Sequence, residues 1–348
     1  MSAAVGSFAA RVVHWQRAQG RHHLPWQNTQ DPYRVWLSEI MLQQTQVTTV
    51  LDYYPRFLVR FPNIAALASA GLDDVLALWS GLGYYSRARN LHRCAQLVAT
   101  DHGGNFPDSA QVLQTLPGIG RSTAAAIAAF CHGQRVAILD ANVKRVLTRH
   151  LGFAADLSAA RSERELWDLA TQRLPTTQRD MPAYTQGLMD LGATVCTPRA
   201  PQCKTCPVAA DCQARLEGAP QSYPVKTRKV RRSAQAHWLL LLQNSSNQVW
   251  LQQRPTKGIW GGLYGPPLFD AQDELEAVLK PKERQRAQAL DVIEHTLTHK
   301  DLYLHPVHVR QLTAAPAIAG AWYTLPDAAA MGLPAPIRTL LERLAPSA

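Results

Sequence analysis

Four of the six cysteines are crowded into one short stretch, Cys196-x6-Cys203-x2-Cys206-x5-Cys212, which puts four thiols within 17 residues. Each can reach a common centre without closing a long loop, so the segment reads as a compact four-thiolate site. A disulfide framework is the wrong expectation for a chain of this length in a reducing compartment. Zinc is the alternative ligand, but zinc ribbons use two separated C-x2-C knuckles and only one is present, which favours an iron–sulfur centre. Pro198, Pro201 and Pro207 stiffen the loop, and Arg199 and Lys204 give it cations to offer to phosphate. Cys94 and Cys131 lie apart from the group and read as core.

A chain of 348 residues exceeds the usual size of one hydrophobic core, so two domains are expected. The formal charge of +10 suggests a polyanionic partner without choosing among DNA, RNA and anionic lipid. No apolar run approaches a membrane span, and the Phe8–Trp15 stretch is interrupted by Arg11 and His14 where a signal peptide needs continuity. The expectation is a cytoplasmic protein with no membrane association.

From Phe8 to about Ala214 the apolar residues recur with helical spacing, punctuated by Asp31-Pro32, Phe106-Pro107-Asp108 and Leu116-Pro117-Gly118. Five of the seven residues from Lys226 to Arg232 are basic, as in a solvated linker. Beyond Ala234 short β-rich runs take over, at His237–Leu242, Val249–Gln252 and Leu302–Arg310, with helical patterns near Glu274–Leu279 and Ile337–Leu344. The boundaries are therefore a helical domain over 1–220 with its cysteine loop at 196–212, a basic linker over 221–233, and an α+β domain over 234–348.

Two places in the helical part bear on chemistry. Leu116-Pro-Gly-Ile-Gly120 joins two helices through Gly118 and Gly120, and amides opening the second helix have no intrahelical acceptor, so the turn forms either a phosphate site or an ordinary helix–helix corner. The apolar run Val136–Leu139 then delivers Asp140 to the start of another helix. Taken alone, Asp140 is an N-cap, a role compatible with catalysis. Asp31-Pro32 starts an earlier helix on which Glu39 shares a face with Val35, Trp36, Leu42 and Gln43. A carboxyl on that face has its pKa raised, whereas a lone helical Glu is ordinarily a surface residue.

The hairpin, the following Asp140 and the C-x6-C-x2-C-x5-C loop together resemble the endonuclease III superfamily of DNA glycosylases, over roughly residues 8–214. The resemblance implies a helix-hairpin-helix fold with a six-helix barrel and a cluster lobe, one 4Fe–4S cluster on Cys196, Cys203, Cys206 and Cys212, and a base flipped from duplex DNA into the cleft. Bifunctional members carry a Lys after the hairpin Arg to form a Schiff base; here that position is Ser122, whose hydroxyl cannot do so. The segments Leu24-Pro-Trp-Gln27 and Asp31-Pro-Tyr-Arg-Val-Trp-Leu-Ser-Glu39-Ile-Met-Leu-Gln-Gln-Thr-Gln-Val47 are similar to adenine glycosylases of the MutY type. That similarity implies Glu39 as proton donor and acceptor, Asp140 as stabiliser of the oxocarbenium-like sugar, and Asn142 and Ser122 as helpers, Ser122 standing where some members have Tyr. It makes Trp26 and Gln186 pocket residues, and Gln44, Thr45, Leu82 and Tyr84 the residues that enter the base stack and reach the opposite strand. From the residues alone Asn142 and Gln186 are equally helix-surface amides, and Leu82 and Tyr84 equally core.

Gln253-Arg-Pro-Thr-Lys-Gly-Ile-Trp-Gly-Gly-Leu-Tyr264 resembles the Nudix-like domain attached to adenine glycosylases. No R-E-x-x-E-E metal helix follows, which implies recognition without nucleotide hydrolysis. Where that family probes 8-oxoguanine with Phe-Ser-His, this chain has Leu297-Thr298-His299, keeping the hydroxyl and imidazole but not the stacking ring. The fold class expected is multidomain: an all-α helix-hairpin-helix glycosylase domain with an iron–sulfur loop, plus an α+β Nudix-like C-terminal domain. The partner expected is double-stranded DNA with adenine opposite 8-oxoguanine or guanine, bound by a monomer. The alternatives are an endonuclease III-like glycosylase and lyase for oxidised pyrimidines, opposed by Ser122, and a non-catalytic iron–sulfur DNA sensor.

Overall fold

The computed structural model describes residues 6–27, 29–227 and 232–344. Residues 228–231 of the basic segment lie outside them. The chain divides into two compact units, Met1–Ser69 with Asn90–Lys229, and Ala70–Arg89 with Val230–Ala348. Among the described residues no helix is long and apolar enough to cross a membrane.

The first unit is helical. Its elements start where local chemistry allows: the Asp31 carboxylate accepts from the Tyr33 amide at 2.9 Å with Pro32 at the first position of the helix Pro32–Leu42. Asp140 does the same for the helix Ala141–Leu151, accepting from Val143 at 2.7 Å. Gly133 and Gly152, at φ of 63° and 62°, end Arg121–His132 and Ala141–Leu151 in the left-handed conformation. The helix Arg121–His132 is buried along Thr123–Ala129, and its run of alanines lets it sit close against Pro32–Leu42 and Met181–Asp190. Val12, Trp15, Leu139, Val143, Leu147, Leu166 and Leu188 belong to one core that ties the N-terminal helix Phe8–Gln19 to this set.

The second unit is built on a mixed eight-stranded sheet. The long strands Ser233–Asn244 and Lys300–Leu312 run parallel, pairing Ser233 with Lys300 and Leu239 with Pro306. Val249–Gln253 and Ile293–Thr296 pair antiparallel with one or other of them. The helix Gln272–Ala277 covers the sheet with the buried Leu275. The three expected strands and two expected helices all appear, while the two-residue strands Tyr264–Gly265, Leu268–Phe269 and Gln288–Ala289 are too short to carry a periodic signal.

Residues 70–89 depart from the expected boundaries, since they group with the C-terminal residues. Hydrogen bonding accounts for this: Gln253 Nε2 and Tyr264 Oη donate to the Asp73 carboxylate at 3.0 and 3.1 Å. Ser80 Oγ donates to the Leu333 carbonyl and Arg89 to that of Gly261, both at 2.6 Å.

Candidate active site

A cavity of about 1280 Å³ opens in the helical unit, lined among others by Trp26, Glu39, Gln44, Thr45, Ser122, Asp140, Asn142 and Gln186. Eight of the residues singled out by sequence, contributed by four helices and the segments that flank them, thus meet around one space. Trp26 is buried and presents its ring edge-on to Tyr54 at 5.5 Å. Burial, reinforced by the charge of Asp140, pushes the Glu39 carboxyl up to about 8. Burial also raises Asp140 above its ordinary value, but the backbone amides of Val143 and Asn142 and the charges of Arg145 and Lys144 oppose that rise. The two carboxyls are therefore inequivalent: Glu39 favours holding a proton and Asp140 has partners that favour its anion.

Ser122 is not bonded to Asp140. Its Oγ accepts from the Leu139 amide at 3.2 Å, tying the hairpin helix to the segment that presents Asp140. Asn142 Oδ1 accepts from Arg145 Nη2 at 2.8 Å, and the same guanidinium donates to the carbonyls of Gly192 and Cys196. Those carbonyls are brought within reach by a π turn over Leu191–Val195. Gly192 is required there, because a Cβ would lie 2.6 Å from that of Asn142.

At the hairpin only Gly118 needs to be glycine on backbone grounds: its φ is 78° and a Cβ would lie 2.9 Å from that of Asn90. Gly120 caps the helix in extended conformation at φ −82° with open space beside it. Neither glycine lines the cavity. Gln44 adopts a φ of 57° between the helices Pro32–Leu42 and Val47–Arg60, a conformation non-glycine residues seldom take.

Leu82, Tyr84 and the Leu297–His299 turn belong to the second unit. Leu82 is 5% exposed, which favours the core alternative for it, whereas Tyr84 is 40% exposed with a φ of 48°. Leu297, Thr298 and His299 form the turn between Ile293–Thr296 and Lys300–Leu312, Leu297 half-buried and the other two exposed. Tyr84 Oη and Thr298 Oγ1 share a short hydrogen bond.

The four clustered cysteines are free, and the charges of Cys196, Cys212 and Cys203 all add to the rise of the Cys206 thiol, which burial chiefly pushes up to about 12. Buried Arg149 donates to Cys196 Sγ at 3.4 Å and to the carbonyls of Thr197 and Pro198. Sequence reasoning missed Arg21, Gln27, Arg145 and Asp190. Gln27 lines the cavity with a buried amide nitrogen that has no partner among the described residues. Asp190 could have been noticed as an acid four residues after Gln186, on the same helix face; Arg21, far away in sequence, carried no signal.

Residues 37–172 match the model of the HhH-GPD superfamily of base excision DNA repair proteins, and residues 237–343 match the NUDIX domain model. A thermostable thymine-DNA glycosylase of known structure superposes with a TM-score of 0.53 at 28% identity, covering 60% of this chain and 95% of its own. The helical unit with its hairpin and paired carboxyls is thus that of a base-excision repair DNA glycosylase. An adenine DNA glycosylase of Buchnera aphidicola subsp. Acyrthosiphon pisum is 36% identical over 345 residues, spanning 96% of this chain and 97% of its own. That of Homo sapiens is 34% identical over 362 residues, spanning 85% of this chain and 66% of its own. The chain belongs to the adenine DNA glycosylase family and is a DNA N-glycosylase.

Proposed function

We propose that this enzyme removes adenine mispaired with 8-oxoguanine or guanine in double-stranded DNA, by hydrolysis without a lyase step. The observation that carries the reading is the pair of inequivalent carboxyls on one cavity: Glu39, pushed up to about 8, and Asp140, bonded as an N-cap. A protonated Glu39 gives its proton to N7 of the flipped adenine. The C1′–N9 bond breaks with its electron pair going to the base, and the Asp140 carboxylate faces the positive charge left on the sugar. Water then adds at C1′ and returns a proton to Glu39, leaving adenine and an abasic site. Among the described residues no lysine lines the cavity, which supports Ser122 as a residue outside any Schiff-base chemistry.

Trp26 and Gln186 are assigned to the flipped base, Asn142 to support of Asp140, and the amides after Gly118 and Gly120 to phosphate. Gln44, Thr45 and Tyr84 are assigned to the vacated stack and the opposite strand, and the buried Leu82 to the core. Thr298, held by Tyr84, and His299 would test the opposite base, with Leu297 supplying apolar contact in place of a ring.

Cys196, Cys203, Cys206 and Cys212 would hold one 4Fe–4S cluster. The donor set fits in kind: the four thiols are free, and the charges of the other three add to the rise of the Cys206 thiol, although among the described residues no three metal-ligating side chains are gathered as around a bound ion. When bound, the cluster would brace the loop that offers Arg199 and Lys204 to DNA. We take the enzyme to act as a cytoplasmic monomer. The test is strand cleavage by hot alkali after incubation with duplexes pairing adenine with 8-oxoguanine, guanine or thymine. Cleavage of the adenine strand opposite the first two, lost in Glu39→Gln with binding kept, is the expected result; borohydride trapping of a protein–DNA adduct would overturn the hydrolytic reading.

A further inference from the structure

Gln186 Nε2 donates to Asp190 Oδ1 at 2.8 Å, and Asp190 is fully buried. The same carboxylate accepts from Arg21 Nε at 2.7 Å and from the Arg21 backbone amide at 2.9 Å. A carboxylate paired in this way has only lone pairs to offer, so it can engage only the NH2 end of the Gln186 amide. Turning that amide over would set oxygen against oxygen in a buried place and break a charge-assisted bond. Gln186 lines the cavity, and its Oε1 has no hydrogen-bond donor among the described residues. The amide is therefore held with its acceptor end free for a ligand.

The distinction matters for purines. Adenine carries at C6 an amino group, which donates; hypoxanthine and guanine carry there an oxygen, which accepts. An amide oxygen pairs with the first and repels the second, and an amide free to rotate could meet either. We propose that Asp190, anchored by Arg21, is a positioning residue that makes the pocket selective for a 6-amino purine by locking the orientation of the Gln186 amide. The proposal rests on the reading of this cavity as the adenine pocket.

Single-turnover release of adenine and of hypoxanthine from the same duplex context tests it, since both bases offer N7 to Glu39 and differ at C6. Asp190→Asn keeps the shape but presents either an oxygen or an amide nitrogen to Gln186. It is expected to narrow the adenine-to-hypoxanthine rate ratio by about tenfold, the worth of one matched against one mismatched hydrogen bond. Loss of both rates by the same factor, with the ratio kept, would mean that Asp190 merely holds the fold and would overturn the proposal. If Asp190→Asn does not fold, Gln186→Leu, which leaves the Arg21–Asp190 pair in place, should collapse the ratio by itself; an unchanged ratio there overturns the proposal too. In the folded double variant, Asp190→Asn should add nothing further to the ratio. Failure of the unmodified enzyme to release adenine at all would strike at the reading of the cavity instead.

Discussion

Replacing Glu39 by Gln should abolish base release and stabilise the protein, by an amount that grows with pH. In the unfolded chain this carboxyl ionises near 4.5, whereas in the fold it is pushed up to about 8 by burial and by Asp140. Between those values the folded state keeps a proton that the unfolded state has lost, so stability is full below about 4.5 and is drained as pH rises towards 8. At about 1.4 kcal/mol per pH unit, the penalty at neutral pH is about 3 kcal/mol, an upper limit because water in the cavity screens part of it. Gln carries no ionisable group and escapes the penalty. The melting-temperature advantage of Glu39→Gln should therefore widen by roughly 5–10 °C between pH 5 and pH 7, taking about 2–4 °C per kcal/mol for a unit of this size. Parallel melting curves with a constant offset across that range would refute the claim that the carboxyl is desolvated, whatever the variant does to activity.

Adenine release under single-turnover conditions should fall about tenfold between pH 7 and pH 9 as Glu39 loses its proton, and a flat profile there would count against it as the acid. Asp140→Asn should keep its melting temperature within a few degrees, since Asn caps as well as Asp, while release drops by two or more orders of magnitude; a large loss of stability would mean that the cap alone explains the residue. Gly192→Ala should push Asn142 away from Arg145 at a cost of about 1–3 kcal/mol and slow release, which chemical denaturation and kinetics on the same preparation would check. Gly118→Ala should weaken duplex binding while Gly120→Ala leaves the backbone undisturbed, a contrast that titration of labelled DNA would read.

Much of the site could be read from the chain because its chemistry is local. Asp31-Pro32 and Asp140 mark helix starts through side-chain bonds spanning two or three residues, and the cysteine spacing is a property of 17 consecutive positions. The long strands announce themselves by composition, whereas strands of two residues exist only because a neighbour supplies the ladder.

What sequence could not supply was decided at long range. The elevated pKa of Glu39 depends on burial by helices distant in the chain and on Asp140, 101 positions later. Ser122 lines the cavity, but that its hydroxyl accepts from the Leu139 amide, 17 residues away, is announced by no local signal. Residues 70–89 read as one more helical stretch, and only the hydrogen bonds that Asp73 accepts and that Ser80 and Arg89 donate reveal the unit to which they belong. Arg21 and Asp190 are 169 residues apart, and nothing in either neighbourhood signals the other. The sequence by itself marked most elements, the clustered cysteines and the two candidate carboxyls, because these follow from residue type and short spacing. The tertiary structure alone decided how deeply Glu39 is desolvated and which way an amide faces, because desolvation and buried hydrogen bonds depend on what the whole chain packs around them.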